Sequence, residues 1–180
     1  QRAGSTSQAL SPFVASDWVN SGLRNEESEL LKRVPVKNGN LLLFGLEGGR
    51  KALVFDRVGF KVSGIDSIAE NVELTLKNTA SLNVCVRAFV QDLQSFCVPQ
   101  GYFDLVWMSD IQYSTIPTRK KRIEILKKMS HALKPNGYLI CQFLFDSNRQ
   151  YSKLIIFVRQ LFAFLTFGNL GLEKGDMVQE

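Results

Sequence analysis

Residues 41–66, reading LLLFGLEGGRKALVFDRVGFKVSGID, constrain the fold more than any other stretch of this chain. A continuous apolar run, Leu41 to Phe44, leads into a glycine-rich turn. A short segment with helical spacing follows, and a second apolar run, Lys61 to Ile65, ends against Asp66. Strand, tight turn, helix and strand in that order make a βαβ crossover, which requires a parallel sheet covered on both faces. Glycines in the turn let the backbone double back and approach a ligand closely, where a side chain would intervene. An acid at the end of the second strand can accept hydrogen bonds from the two hydroxyls of a ribose. The spacing also separates ligand classes. A dinucleotide fingerprint, G-x-G-x-x-G, would place its third glycine at Arg50. The glycines here are Gly45, Gly48 and Gly49, with Glu47 between them.

The same alternation continues downstream. Periodicity and turn signals predict a helix over Ser67–Ala80, a β-branched strand over Val84–Val90, a connection over Asp92–Pro99 and a strand over Phe103–Met108. A helix with Pro117 in its first turn should run to Leu133. Lys134-Pro135-Asn136-Gly137 then reads as a turn before a fifth strand, Tyr138–Phe145, and a last helix, Arg149–Phe167. Upstream, the first sixteen residues are rich in Ser, Gln, Ala and Gly and read as a poorly ordered arm. Asp17-Trp18 opens a short helix, and Asn25-Glu26-Glu27 opens another that ends near Val34, before Pro35. The division expected is a flexible arm with short helices over residues 1–34 and one doubly wound α/β domain over residues 35–180.

The run LLLFGLEGG resembles motif I of the class I S-adenosylmethionine-dependent methyltransferases, an apolar strand followed by G-x-G-x-G. Gly45 and Gly49 take the outer positions of that motif. Glu47 stands where the middle glycine is expected, and Leu43 where the family commonly has an acid. The resemblance extends through LVWMSDIQYSTIPTRKKRIEILKKMSHALKPNGYLI, which follows the family's fourth strand, helix, L-K-P-x-G turn and fifth strand. It implies a Rossmann-like sheet of strand order 3-2-1-4-5. Family members usually add a sixth strand and an antiparallel seventh. Only Gly168 to Glu180 follows the last predicted helix, so that pair is expected to be missing or incomplete.

Ligands of open α/β sheets bind beyond the carboxyl ends of the strands. The resemblance accordingly implies S-adenosylmethionine as cofactor and a set of binding residues. Asp66 would hold the ribose hydroxyls, with Ser67 and Ile68 against the adenine; the alternative for Asp66 is an acid capping the next helix. Asp92 would accept from the adenine amino group and the Leu93 amide would donate to the ring, or Asp92 simply caps a loop. Gly45 and Gly49 would let the loop pass the methionyl end. A Glu47 carboxylate in that pocket would repel the cofactor's own carboxylate unless it turned outward or met the ammonium. Arg50 would bind the cofactor's carboxylate or neutralise Glu47. Ser109, at the end of the fourth strand, completes the cofactor set. Asp110 and Tyr113, in the segment that usually faces the methyl group, are the candidate catalytic or substrate-contacting residues. His131, the single histidine, falls in a helical run and reads as structural.

A formal charge of +5 is moderate for 180 residues. Much of it lies in Arg119-Lys120-Lys121-Arg122 with Lys127 and Lys128. With Ile123, Leu126 and Met129 as the apolar stripe, this reads as the solvated face of a helix. No aromatic side chains interleave with these charges, which argues against nucleic acid as a partner. Cys85, Cys97 and Cys141 lack metal-ligand spacing, no metal site is expected, and Cys85 and Cys141 should be buried free thiols, as in the reducing cytoplasm. No secretory leader is apparent. Leu154–Phe167 is apolar nearly all round but too short to span a bilayer, so it should meet core, a lid or a second subunit. The function expected is methyl transfer to a small-molecule acceptor. The alternative is a methyltransferase-like fold, inactive through Leu43 and Glu47, that binds a partner.

Overall fold

The computed structural model describes residues 16–144. The expected helix over Arg149–Phe167, the arm before residue 16 and the question of strands six and seven lie outside them. Two helices, α1 (Ser16–Asn20) and α2 (Asn25–Arg33), precede β1 (Gly39–Phe44). A 3-10 turn (Glu47–Gly49) leads into α3 (Arg50–Arg57), followed by β2 (Phe60–Asp66), α4 (Ala69–Ser81) and β3 (Arg87–Val90). Then come β4 (Phe103–Met108), the short α5 (Asp110–Ser114), α6 (Arg119–Ala132) and β5 (Leu133–Cys141).

The strands form one five-stranded sheet in the order β3-β2-β1-β4-β5. All neighbours are parallel, with Leu43 opposite Gly64 on one side and Trp107 on the other. This is the Rossmann-like arrangement of class I methyltransferases, in the order expected. Successive side chains of a strand point to opposite faces, and β1 shows why its whole run is apolar. Leu41 and Leu43 join Ala52, Phe55, Val72 and Trp107 in a core beneath α2, α3 and α4. Leu42 and Phe44 join Met108, Ile125, Met129 and Ala132 beneath α6. Full burial of such a side chain stabilises the fold by roughly 1.5–3 kcal/mol each. Asp104 ties the amino ends of β1 and β4 to the β5 segment, accepting from the Asn40 amide (2.8 Å) and Lys134 Nζ (2.8 Å).

Three local expectations need correction. The Lys134–Gly137 turn does not precede the fifth strand but sits inside it. Leu133 pairs with Phe103 and Tyr138 with Leu105, so the intervening residues bulge out of register, with Asn136 at φ 65°. Cys85 is exposed, because β3 starts only at Arg87 and its edge position leaves Cys85 in the approach loop; Cys141 is half-buried, and burial pushes its thiol up to about 11. In α6 the buried stripe is Ile125, Met129 and Ala132, whereas Ile123 faces solvent.

Candidate functional site

The loops at the carboxyl ends of β1, β2, β3 and β4 converge. The Gly45 amide donates to the Ile65 carbonyl (3.0 Å), and the Ser109 amide to the Phe44 carbonyl (3.1 Å). Gly45 has φ +83°, and a Cβ there would overlap Ser109 Oγ and Gln112. The missing side chain is therefore what lets the first loop lie against the segment after β4. Gly49 faces elsewhere. At φ +99° it caps α3, and a Cβ would lie 3.4 Å from the methyl groups of Thr75 and Thr79 on α4. Its close approach is to a helix.

Asp66 is buried at the end of β2 and performs two tasks. One carboxylate oxygen accepts from the Leu46 amide (3.0 Å) and Asn71 Nδ2 (3.3 Å), the other from the Ile68 amide (3.0 Å). It thus fixes the β1 loop and caps the turn into α4. Ser67 is exposed, and Ile68 is 51% exposed, an apolar side chain with little cover. Asp92 is exposed beyond β3, where one oxygen accepts from the Gln94 amide (2.6 Å). Ser67, Asp92, Leu93, Gln112, Ile116 and Ile125 line a cavity of about 140 Å³ between these loops. Gln112 borders both this cavity and Gly45.

Beyond β4, Ser109 caps α5 by accepting from the Gln112 amide (3.4 Å). Asp110 is nearly buried, with Oδ2 accepting from Arg24 (2.9 Å) and Oδ1 from the Ile111 amide (2.9 Å). Tyr113, one helical turn on, is half-buried, with its ring 6.4 Å from that of Phe143. His131 is exposed at the end of α6. Lys128, on the basic face, donates to the Gln94 carbonyl (2.5 Å) and lies over the Phe96 ring. A larger cavity, about 460 Å³, opens on the sheet face between Ser63, Arg87, Phe89 and Tyr102. It runs along the sheet face to Ile65 and Gln91 near the carboxyl ends of β2 and β3, where the β3–β4 connection has no covering helix among the described residues.

A buried charge cluster backs the first loop, and sequence reasoning found only half of it. Glu47 turns its carboxylate to Arg50 (2.8 Å) and to Lys51, with Arg24 at 3.9 Å. Arg50 also grips Glu27 of α2 through both terminal nitrogens (2.7 and 2.9 Å) and donates to the Gly22 carbonyl (2.7 Å). Lys51 lies 3.4 Å from Glu27, which in turn accepts from the Arg24 amide (2.7 Å). Burial would raise the Glu27 carboxyl, but the Arg50 hydrogen bonds and the Lys51 charge outweigh it and hold it at about 2. Burial likewise works against the Arg50 cation, and its bonds to Glu27 and Glu47 more than offset that, raising its pKa. The spacing of Glu47, Arg50 and Lys51 was visible in the sequence as pairs at helical distance. Glu27, twenty residues upstream of Glu47, carried only the signal of an acid in the first turn of a helix.

The sequence model of a methyltransferase domain matches residues 42–137, just over half of the chain. Among solved structures, a protein of Pyrococcus horikoshii OT3 is 20% identical and superposes with a TM-score of 0.57, over 70% of this chain and 61% of its own. A SAM-dependent methyltransferase of Methanosarcina mazei is 22% identical, with a TM-score of 0.56 over 66% of this chain and 56% of that one. A SAM-dependent methyltransferase of Aquifex aeolicus gives 17% identity and a TM-score of 0.55, covering 76% and 77%. At these identities the likeness is one of fold, and the chain spans only about three fifths of the first two structures. No curated protein matches it.

Proposed function

Since the chain belongs to the methyltransferase-domain family, we propose that it transfers a methyl group from S-adenosylmethionine to a small molecule. The observation that carries this reading is the meeting of Gly45 with Ser109 and Gln112 beside the cavity bounded by Ser67, Asp92 and Leu93. That cavity is smaller than the roughly 300–1,000 Å³ of a whole ligand pocket and suits one ring of a nucleoside. Leu93 and Ile116 give it apolar walls, and Asp92, one oxygen of which accepts from the Gln94 amide, would accept from an exocyclic amine with the other. Ile68 offers the apolar face beside Ser67. Asp66 has accepted three donors where a carboxylate has about four lone-pair sites. Its longest bond, to Asn71 at 3.3 Å, is the one a ribose hydroxyl would replace.

The bound cofactor supplies an electrophilic methyl on a sulfonium. What the protein adds is alignment and exclusion of water, and neither demands a strong base. Gly45 keeps the loop thin, Ser109 anchors it to α5, and Asp110 and Tyr113 face the acceptor from one side of α5. At the methionyl end, Arg24 and Asp110 present opposite charges near the loop, and the Glu47 carboxylate is bonded to Arg50 and Lys51, with Arg24 also within 3.9 Å. The catalytic domain is residues 35–180, preceded by the 1–34 segment. A small acceptor is favoured over nucleic acid because the basic face of α6 lacks interleaved aromatics. Three free cysteines favour the cytoplasm.

A second reading, a partner-binding fold without chemistry, is favoured by one observation: Glu47 in place of a motif glycine. Calorimetric titration with S-adenosylhomocysteine separates the two. Micromolar binding is expected, and a folded protein that gives no heat would favour the partner-binding fold.

A further inference from the structure

Glu47 occupies the middle of the loop at φ 47°, a left-handed value that side chains seldom adopt. A carboxylate there has two ways to go: toward the cleft beside Gly45 and Ser109, or back toward α2. It goes back. Its partners on that side are 1% exposed for Arg50 and 0% for Lys51, and they share Glu27, also 0% exposed. Arg50 and Lys51 lie three and four residues beyond Glu47, so both project from the first turn of α3 onto the same side. Two cations then face two anions, which is the condition under which such groups tolerate burial. Arg24 extends the chain of charges from Glu47 (3.9 Å) to Asp110 (2.9 Å), at the start of α5.

We propose that Lys51, Arg50 and Glu27 are positioning residues that hold the Glu47 side chain out of the cofactor cleft and, by the same contacts, fasten α2 to the loop as part of the site. This deepens the methyltransferase reading and rests on it for the ligand, but not for the clamp. It carries a consequence opposite to what the motif suggests. Restoring glycine at position 47 does not repair the loop; it leaves two buried cations on Glu27 alone. Neutralising Lys51 in the same chain rebalances the cluster as a single Arg50–Glu27 pair.

The test is a cycle of Glu47→Gly, Lys51→Met and the double variant, with Lys51→Arg as the conservative control. Hydrogen exchange over residues 22–33, in the absence of ligand, reads the clamp. Glu47→Gly should speed it by roughly tenfold or more, and the double variant should return it to within about threefold of wild type. Titration with S-adenosylhomocysteine reads the positioning. Lys51→Met should weaken binding by roughly tenfold or more, while Lys51→Arg and the double variant stay within about threefold of wild type. Unchanged exchange in Glu47→Gly, or unchanged affinity in Lys51→Met, overturns the proposal. If wild type does not bind the ligand, the cofactor reading fails and the exchange arm decides the clamp by itself.

Discussion

Replacing Glu27 by Gln keeps the shape of the side chain and removes its charge from between Arg50 and Lys51. In the folded protein those partners outweigh the effect of burial and hold the carboxyl at about 2, against an ordinary carboxyl value of 4.5 in the unfolded chain. At about 1.4 kcal/mol per pH unit, the gap amounts to about 3 kcal/mol of folding stability at pH 7. The cost of stripping one partner from a buried ion pair is independently about 3–5 kcal/mol, so the two routes agree. The sign follows from the direction of the shift. The folded carboxyl is the stronger acid, so as pH falls the unfolded chain takes up this proton first. The contribution is complete above 4.5, declines as pH drops from there toward about 2, and is gone below that.

Urea unfolding followed by circular dichroism, at several pH values from 7 down to 3, measures both the size and the shape of the effect. Glu27→Gln is expected to be less stable by about 3 kcal/mol at neutral pH, and the two stability curves should converge on acidification. Carboxylates outside the cluster titrate in both proteins and cancel in the difference. A deficit under about 1 kcal/mol at pH 7, or a gap that stays constant between pH 5 and pH 3, would refute the argument that Glu27 is held ionised by the cluster.

Gly64→Ala in the middle of β2 places a Cβ against the Leu46 side chain, which comes from the loop itself. Overpacking of that kind costs about 1–3 kcal/mol and should lower the melting temperature by several degrees; an unchanged melt would show that Leu46 moves aside freely. Asp66→Asn leaves one acceptor oxygen for the donors that Asp66 now satisfies with two. A loss of about 1–3 kcal/mol in stability is expected, with a fall of roughly tenfold or more in S-adenosylhomocysteine affinity. Undiminished affinity in the folded variant would remove Asp66 from the ligand site.

Much of the fold was legible because its signals are local. The apolar run Phe103–Met108 became β4 without a change of boundary, and the strand order came with the resemblance carried by motif I and the L-K-P-x-G turn. Edges were harder. Val84–Val90 has the β-branched composition of a strand, but an edge strand pairs on one side only, and β3 begins three residues late. Composition set the β propensity there, and pairing set the boundary. The turn at Lys134–Gly137 was real, yet Leu133 had already paired with Phe103, a long-range contact that no local signal reports. In the site, the turn at Gly45 and the acid at Asp66 were readable from spacing. Of the charge cluster only the Glu47–Arg50 contact was, as one of two alternatives, since burying a lysine and an arginine completely runs against the usual distribution of those residues. Only the arrival of α2 supplies the carboxylate that makes it possible.

That cluster also explains how a loop built for glycine accepts glutamate. Four of its positions take left-handed φ values: Gly45 at 83°, Glu47 at 47°, Gly48 at 70° and Gly49 at 99°. The demand at Gly45 is for space, because Ser109 and Gln112 occupy the volume of a side chain. At position 47 the demand is conformational, and a left-handed residue other than glycine costs only roughly 1–2 kcal/mol. Buried, hydrogen-bonded ion pairs to Arg50 and Lys51 are of a size to offset that. The motif is therefore best defined by backbone conformation and by which side of the loop is kept clear. On that definition Glu47 is a change of residue type at a left-handed position that glycine adopts freely, tolerated where Lys51 and Arg50 hold its carboxylate.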